Sequence, residues 1–149
     1  MAEQKEVYVT QHKLYEEGFT DEFLEEALSK VQQRMFGDWP LFGAKEAYGD
    51  HDLKTTQYIF GQIFGRPGLD LKLRGLMVLT CLCMLQHEGV MRIWTNACLN
   101  LGWTEAQIKE MGMLLAHVGG FPVSRGSVVV FDDVFEKRRA NPGAKHAGA

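Results

Sequence analysis

The chain has 149 residues, 46% hydrophobic and 23% charged, a composition suited to a folded globular domain and outside the regime of disorder. With 16 basic against 19 acidic residues it has no surplus of cations to neutralise a phosphate backbone, so nucleic acid is not an expected partner. The three cysteines, an odd number in apolar stretches, fit reduced thiols in a reducing compartment.

Residues 1–18 read as an N-terminal extension that starts without a secretory apolar region and in which the alternation at Val7-Tyr8-Val9 is too short to define a strand. Thr20, followed by Asp21 and Glu22, supplies a capping hydroxyl and two acids for a helix start, with Phe19 and Leu24 placed as a hydrophobic staple. Leu24, Leu28, Val31 and Met35 recur at helical spacing until Gly37 and Pro40 stop the helix, and the stretch to Gly49 reads as loop. Asp50 is placed to cap a second helix carrying Leu53, Phe60, Ile63 and Phe64, which Gly65 and Pro67 end.

A third helix is predicted from Leu71 to about Gln86, apolar on nearly all sides from Leu76 to Leu85, as suits a bundle centre or a subunit interface. Asp70, Lys72 and Arg74 make this run too charged and too short to cross a bilayer, which leaves a cytoplasmic protein without a membrane partner as the expectation. A fourth helix spans about Glu88 to Asn100 and stops at Gly102. Thr104-Glu105-Ala106-Gln107 has the capping-box pattern, with Trp103 and Ile108 as its staple, and opens a fifth helix to about Val118. After the Gly119-Gly120 break, Pro122 suits the first turn of a last helix, although Ser127 to Phe131 taken alone favours a strand. Lys137-Arg138-Arg139 suits a helix C-terminus, and residues 140–149 read as a disordered tail of small residues. Short connections between helices imply an all-α fold, a compact helical bundle of about six helices forming one domain over residues 19–139.

The Gly65-Arg66-Pro67-Gly68 turn, Arg74, the Asn100-Leu101-Gly102-Trp103-Thr104 stretch and the closing Gly120-Phe121-Pro122 together resemble the carboxymuconolactone decarboxylase family, within the alkyl hydroperoxidase D-like superfamily. The resemblance covers roughly the last two-thirds of the chain. It implies a helix after the Gly-Phe-Pro break, assembly as a trimer or hexamer through the central helices, and lactone-decarboxylase or thiol-peroxidase chemistry. Its redox branch uses two cysteines three apart at a helix start, a spacing that lets one thiol attack the other. Here those places hold His87 and Val90, while Cys81 and Cys83 are about 200° apart on a helix and Cys98 is remote, so all three thiols read as buried and inert. The decarboxylase branch keeps a glutamate and a histidine, and the corresponding places hold Gly75 and Trp94, neither of which carries a proton.

Acid–base chemistry must then use other groups. His87, beside Glu88 at the end of the central helix where a cation is favoured, and His117, just before the Gly119-Gly120 break, are the candidate catalytic residues. Each also has a bland reading, as a helix-capping or surface histidine. His51 is a weaker candidate, and His12 and His146 fall in peripheral segments. Arg66, held in a rigid turn, and Arg74 are candidate substrate-binding cations for a carboxylate, with an ion pair to Asp70 as the bland reading of Arg74. Trp94 either fills the inherited pocket or offers a flat wall for a conjugated substrate. No metal-ligand spacing and no phosphate-cradling glycine loop is present, so no cofactor is expected. Two functional readings follow. One is a cofactor-independent small-molecule enzyme, decarboxylating or rearranging a carboxylated lactone, keto acid or aromatic, polyketide-like substrate as a homo-oligomer. The other is a catalytically degenerate binding or assembly subunit, with thiol peroxidase a third alternative.

Overall fold

The computed structural model describes residues 31, 33–37, 55, 57–66 and 68–143. The extension 1–18, the helix start at Phe19 to Leu24, the loop 38–49, the Asp50 cap, Pro67, the residues 144–149 of the tail, and His12, His51 and His146 lie outside them. The described residues are all-α, with no strand among them.

The chain divides into two compact units, residues 1–34 with 38–71 and residues 35–37 with 72–149. In the first, the helix predicted around Phe60 is present but wound wide: Gln57–Ile63 is a π-helix, and Phe64 N–H reaches back five residues to Ile59 O at 2.8 Å. Phe60 and Phe64, one turn apart, have tilted rings 5.3 Å between centroids.

The second unit is built from three labelled helices, α1 (Leu71–Met84), α2 (Glu88–Asn100) and α3 (Glu105–Ala140). Helix α1 ends because Gln86 turns left-handed, φ 54°. Gln86 N–H then donates to Cys83 O and His87 N–H to Leu82 O, the paired bonds of a Schellman cap. That reversal sends α2 back along α1. At the far end Lys72 Nζ donates to Gly102 O at 2.9 Å, Trp103 Nε1 donates to Lys72 O at 2.9 Å, and the Lys72 ammonium sits 4.5 Å over the Trp103 ring. Helix α2 has the predicted bounds, and its buried Met91, Trp94, Thr95 and Cys98 follow the period of one helical face.

Thr104 caps α3 with both bonds of the capping box, to Gln107 N–H and from Gln107 Oε1. The helix does not run straight. At Gly120, φ 79° and ψ 170°, a region open essentially to glycine alone, it folds back on itself. Lys109 pairs with Asp132 at 2.5 Å and Glu105 with Arg139 at 2.9 Å, although a straight helix would hold Glu105 and Arg139 about 50 Å apart. By length and mean hydropathy α3 could cross a membrane, but it is a hairpin of two antiparallel arms and not one span. The arms touch closely at Gly112, where a β-carbon would lie 2.8 Å from the Phe131 ring. Pro122 opens the second arm, and Ser127 to Phe131 is helical, as the family resemblance implied against local propensity. Lys137, Arg138 and Arg139 occupy its last turn.

Two helical hairpins, α1–α2 and the arms of α3, therefore meet around a core that includes Leu79, Trp94, Ile108, Phe131 and Phe135. The α1–α2 turn lies at the same end as the α3 reversal. Beta-carbons built at Gly119 and Gly126 would come within 3.0 Å of Met84 Sδ and 3.2 Å of Gln86 Oε1. Helix α1 is not covered on all sides: Leu73, Met77, Met84 and Leu85 are exposed in the single chain.

Candidate functional site

The packing just described joins the two chain segments that carry the candidate histidines. His87 is the N-cap residue of α2, with no side-chain capping bond, and His117 lies two residues before Gly119 on α3. Both side chains are exposed. His87 does not simply follow a helix C-terminus, as the sequence suggested. The negative end of α1 and the positive end of α2 meet at its backbone, which removes the one-sided dipole argument for its charge. His117 follows the exposed Met113 and Leu114 by one helical turn on α3, and the exposed Val118 and Phe121 come after it in the chain.

Arg74 is half-buried on α1, thirteen residues before His87 and so about 20 Å away along the helices, too far for one small acid to touch both within a chain. Arg66 is exposed in the first unit, beside the turn closed by its N–H to Ile63 O at 3.3 Å. Trp94 is 8% exposed and packs edge-to-face on Phe36, ring centroids 5.6 Å apart, so it fills space and presents no open wall for stacking. Gly75 is buried, and a β-carbon there would meet Leu101 Cδ1 at 2.8 Å, with Cys98 Sγ at 3.9 Å. The place where the resemblance expects a glutamate is thus closed by packing.

The thiols divide. Cys83 and Cys98 are buried, and Cys81 is exposed, which corrects the expectation of three buried thiols. The correction has a simple geometric cause: residues two apart on α1 face opposite ways. Desolvation, then the neighbouring Cys83, pushes the Cys98 thiol up to about 12; desolvation also raises Cys83 against a hydrogen bond with Ser127. Both stay protonated and poorly nucleophilic near neutral pH. Among the described residues no group of three or more His, Cys, Asp or Glu could hold a metal ion.

Sequence reading missed two residues. Gln86 holds a left-handed cap that normally announces itself as glycine, and its Nε2 donates to Cys83 O at 2.6 Å. Arg138, read only as one of three helix-ending cations, turns inward onto α2. Between them runs a charged ladder, in which Asp133 pairs with Arg92 and Lys137. Desolvation raises the Asp133 carboxyl, but the two cations outweigh it and hold it below its usual range.

Comparison with known proteins agrees with the resemblance. Residues 53–133 match the model of the carboxymuconolactone decarboxylase family. Over 81 residues the chain is 28% identical to a 4-carboxymuconolactone decarboxylase of Acinetobacter baylyi, a match that covers 54% of this chain and 60% of that relative's length. The matched region starts before the π-helical stretch, takes in both candidate histidines, and ends in the second arm of α3: the chain belongs to the carboxymuconolactone decarboxylase family.

Proposed function

We propose that the chain is a cofactor-independent small-molecule enzyme of this family, acting by acid–base chemistry on a carboxylated lactone or keto acid. The observation that carries the reading is the packing of the α1–α2 turn, which bears His87, on the α3 reversal that follows His117, at one end of the second unit where Met113, Leu114, Val118 and Phe121 are exposed. An apolar surround weakens the hydration of a bound carboxylate, and an imidazole supplies the proton. In the simplest reaction the bond to the carboxylate carbon breaks, carbon dioxide leaves, and the electron pair passes to a neighbouring carbonyl as an enolate. His117 or His87 then protonates that enolate at carbon. The same groups serve a tautomerisation or lactone opening on a related acid.

A panel of lactone and keto acids, with carbon dioxide detection and proton NMR of the acid itself, tests this: release or conversion above the buffer rate supports it, and neither on any acid that binds removes it. That second result is the one expected of a binding or assembly subunit. The subunit reading draws on Gly75 and Trp94, which replace proton carriers with a closed contact and a core ring.

The protein is further proposed to act in the cytoplasm as a homo-oligomer, a trimer or hexamer, because Leu73, Met77, Met84 and Leu85 leave an apolar face on α1 uncovered in one chain. Light scattering is expected to give a multiple of 16.8 kDa for the wild type and a lower mass for Met77→Glu/Leu85→Glu. A monomeric wild type would contradict the assembly.

A further inference from the structure

Arg138 is a cation whose hydrogen-bond partners among the described residues are polar but uncharged. Lys137, Arg139, Arg92 and Lys109 each meet an aspartate or glutamate. Among the described residues Arg138 meets amide oxygens: its Nη1 donates to Asn96 O and Asn96 Oδ1, both at 3.4 Å, and its Nη2 to Asn100 Oδ1 at 2.7 Å. Both asparagines are themselves held, Asn96 Nδ2 by Arg92 O at 3.1 Å and Asn100 Nδ2 by Met35 O at 2.8 Å. The cradle is therefore fixed before anything binds. Among the described residues no carboxylate neutralises the guanidinium.

A half-buried charge without a counterion is costly, and the partial negative charge of the α3 C-terminus offsets only part of it. Burial lowers the pKa of Arg138, in keeping with a charge that has lost water and gained no acid. A guanidinium has five N–H donors, and three protein oxygens occupy part of that set. The remaining donors suit a planar two-oxygen anion. Arg92 and Lys137 are both turned to Asp133, so Arg138 is the cation whose fork faces the cradle, and its two parallel N–H donors match the two oxygens of a planar carboxylate.

We infer that Arg138, cradled by Asn96 and Asn100, is a binding site for a small monocarboxylate from solution. This site is separate from the histidine-bearing end. Asn100 is the last residue of α2 and His87 precedes its first, so about 20 Å of helix lies between them. It therefore stands whether or not the acid–base reading holds, and its test uses no activity.

Titration of the full chain with sodium formate and with benzoate, against sodium chloride at matched ionic strength, is followed by NMR. The side-chain amide signals of Asn96 and Asn100 and the Nε–H signal of Arg138 report on the site. Saturable shifts with the carboxylates and none with chloride are expected, weakened about tenfold in Arg138→Lys, which keeps the charge but loses the fork. In Arg138→Met the Asn96 and Asn100 shifts should vanish, and if that variant fails to fold the Arg138→Lys comparison decides. Shifts that do not saturate, equal affinity in wild type and Arg138→Lys, or no response overturn the inference. No response is also what a guanidinium already neutralised by an acid of this chain would give.

Discussion

Replacing His117 with alanine is expected to lower turnover by about 10²- to 10⁴-fold, the usual worth of a positioned general acid or base. Its imidazole is a polar group on the α3 stretch that also carries Met113, Leu114, Val118 and Phe121, which are 60%, 70%, 75% and 72% exposed. A side chain of this kind on a solvated face would cost little to remove. Stability should accordingly change by no more than about 0.5 kcal/mol, because the residue is exposed and makes no buried contact. Steady-state kinetics with thermal melting separates the effects. The loss should fall on kcat and on kcat/KM together, since a proton donor acts in the transition state and not in ground-state binding. A raised KM with unchanged kcat would assign His117 to substrate contact alone. His117→Gln keeps polarity without a transferable proton and should be as slow as His117→Ala. Full activity in His117→Gln would show that a neutral hydrogen bond suffices.

The largest expected loss of stability comes from Phe131→Ala, at about 3–5 kcal/mol. Phe131 is completely buried on the second arm of α3, with its ring 6.5 Å from that of Phe135 and its edge against the Gly112 backbone. Glycine at position 112 lets the arms approach, and the ring fills the space this leaves, so truncating it opens a cavity that neither backbone can close. Domains of this size are stable by about 5–15 kcal/mol, which makes this one change a large fraction of the total. Urea denaturation should show a lower midpoint with an unchanged slope. The contrast residue is Phe121, on the same hairpin but 72% exposed: Phe121→Ala should leave the midpoint of a single folded chain nearly unmoved. An equal effect at both positions would mean that burial in the α3 hairpin does not control stability.

Much of the fold is legible in the residues because the signals are local. The Thr104 and Gln107 side chains sit three apart, and both capping bonds form between them. Met91, Trp94, Thr95 and Cys98 repeat at the helical period, and they are the buried face of α2. Gly120 followed by Pro122 marks a break, and the break is there. What the break does is not local. Nothing in Gly119-Gly120 says that the following arm returns along the first; this depends on Phe131 packing against Gly112 across the hairpin, with Lys109–Asp132 and Glu105–Arg139 pairs at its surface. Gln86 hid the α1–α2 turn for another reason, since the left-handed position usually filled by glycine is held here by a residue whose side chain bonds back to Cys83 O.

The candidate site was less legible than the fold. His87 and His117 are thirty positions apart, and only the docking of Met84 and Gln86 on the Gly119 to Gly126 stretch associates their segments. Arg74, attractive for its place in the family pattern, is carried to the opposite end by the length of α1. Trp94 had two readings from sequence, and its edge-on contact with Phe36 favours the filled one. Arg138 was obscured by its neighbours: three consecutive cations look alike in sequence, but successive helical positions point about 100° apart, so one turns to α2 while the others find acids.

The most direct measurement compares carbon dioxide release by wild type and His87→Ala/His117→Ala on the same panel of lactone and keto acids, with helix content checked by circular dichroism. Release by the wild type that falls to the buffer rate in a fully helical double variant is the expected result. Equal release by the two proteins above the buffer rate would contradict a family scaffold whose proton carriers have moved to the α1–α2 turn and the α3 hairpin, and zero release by both would remove decarboxylation as their reaction.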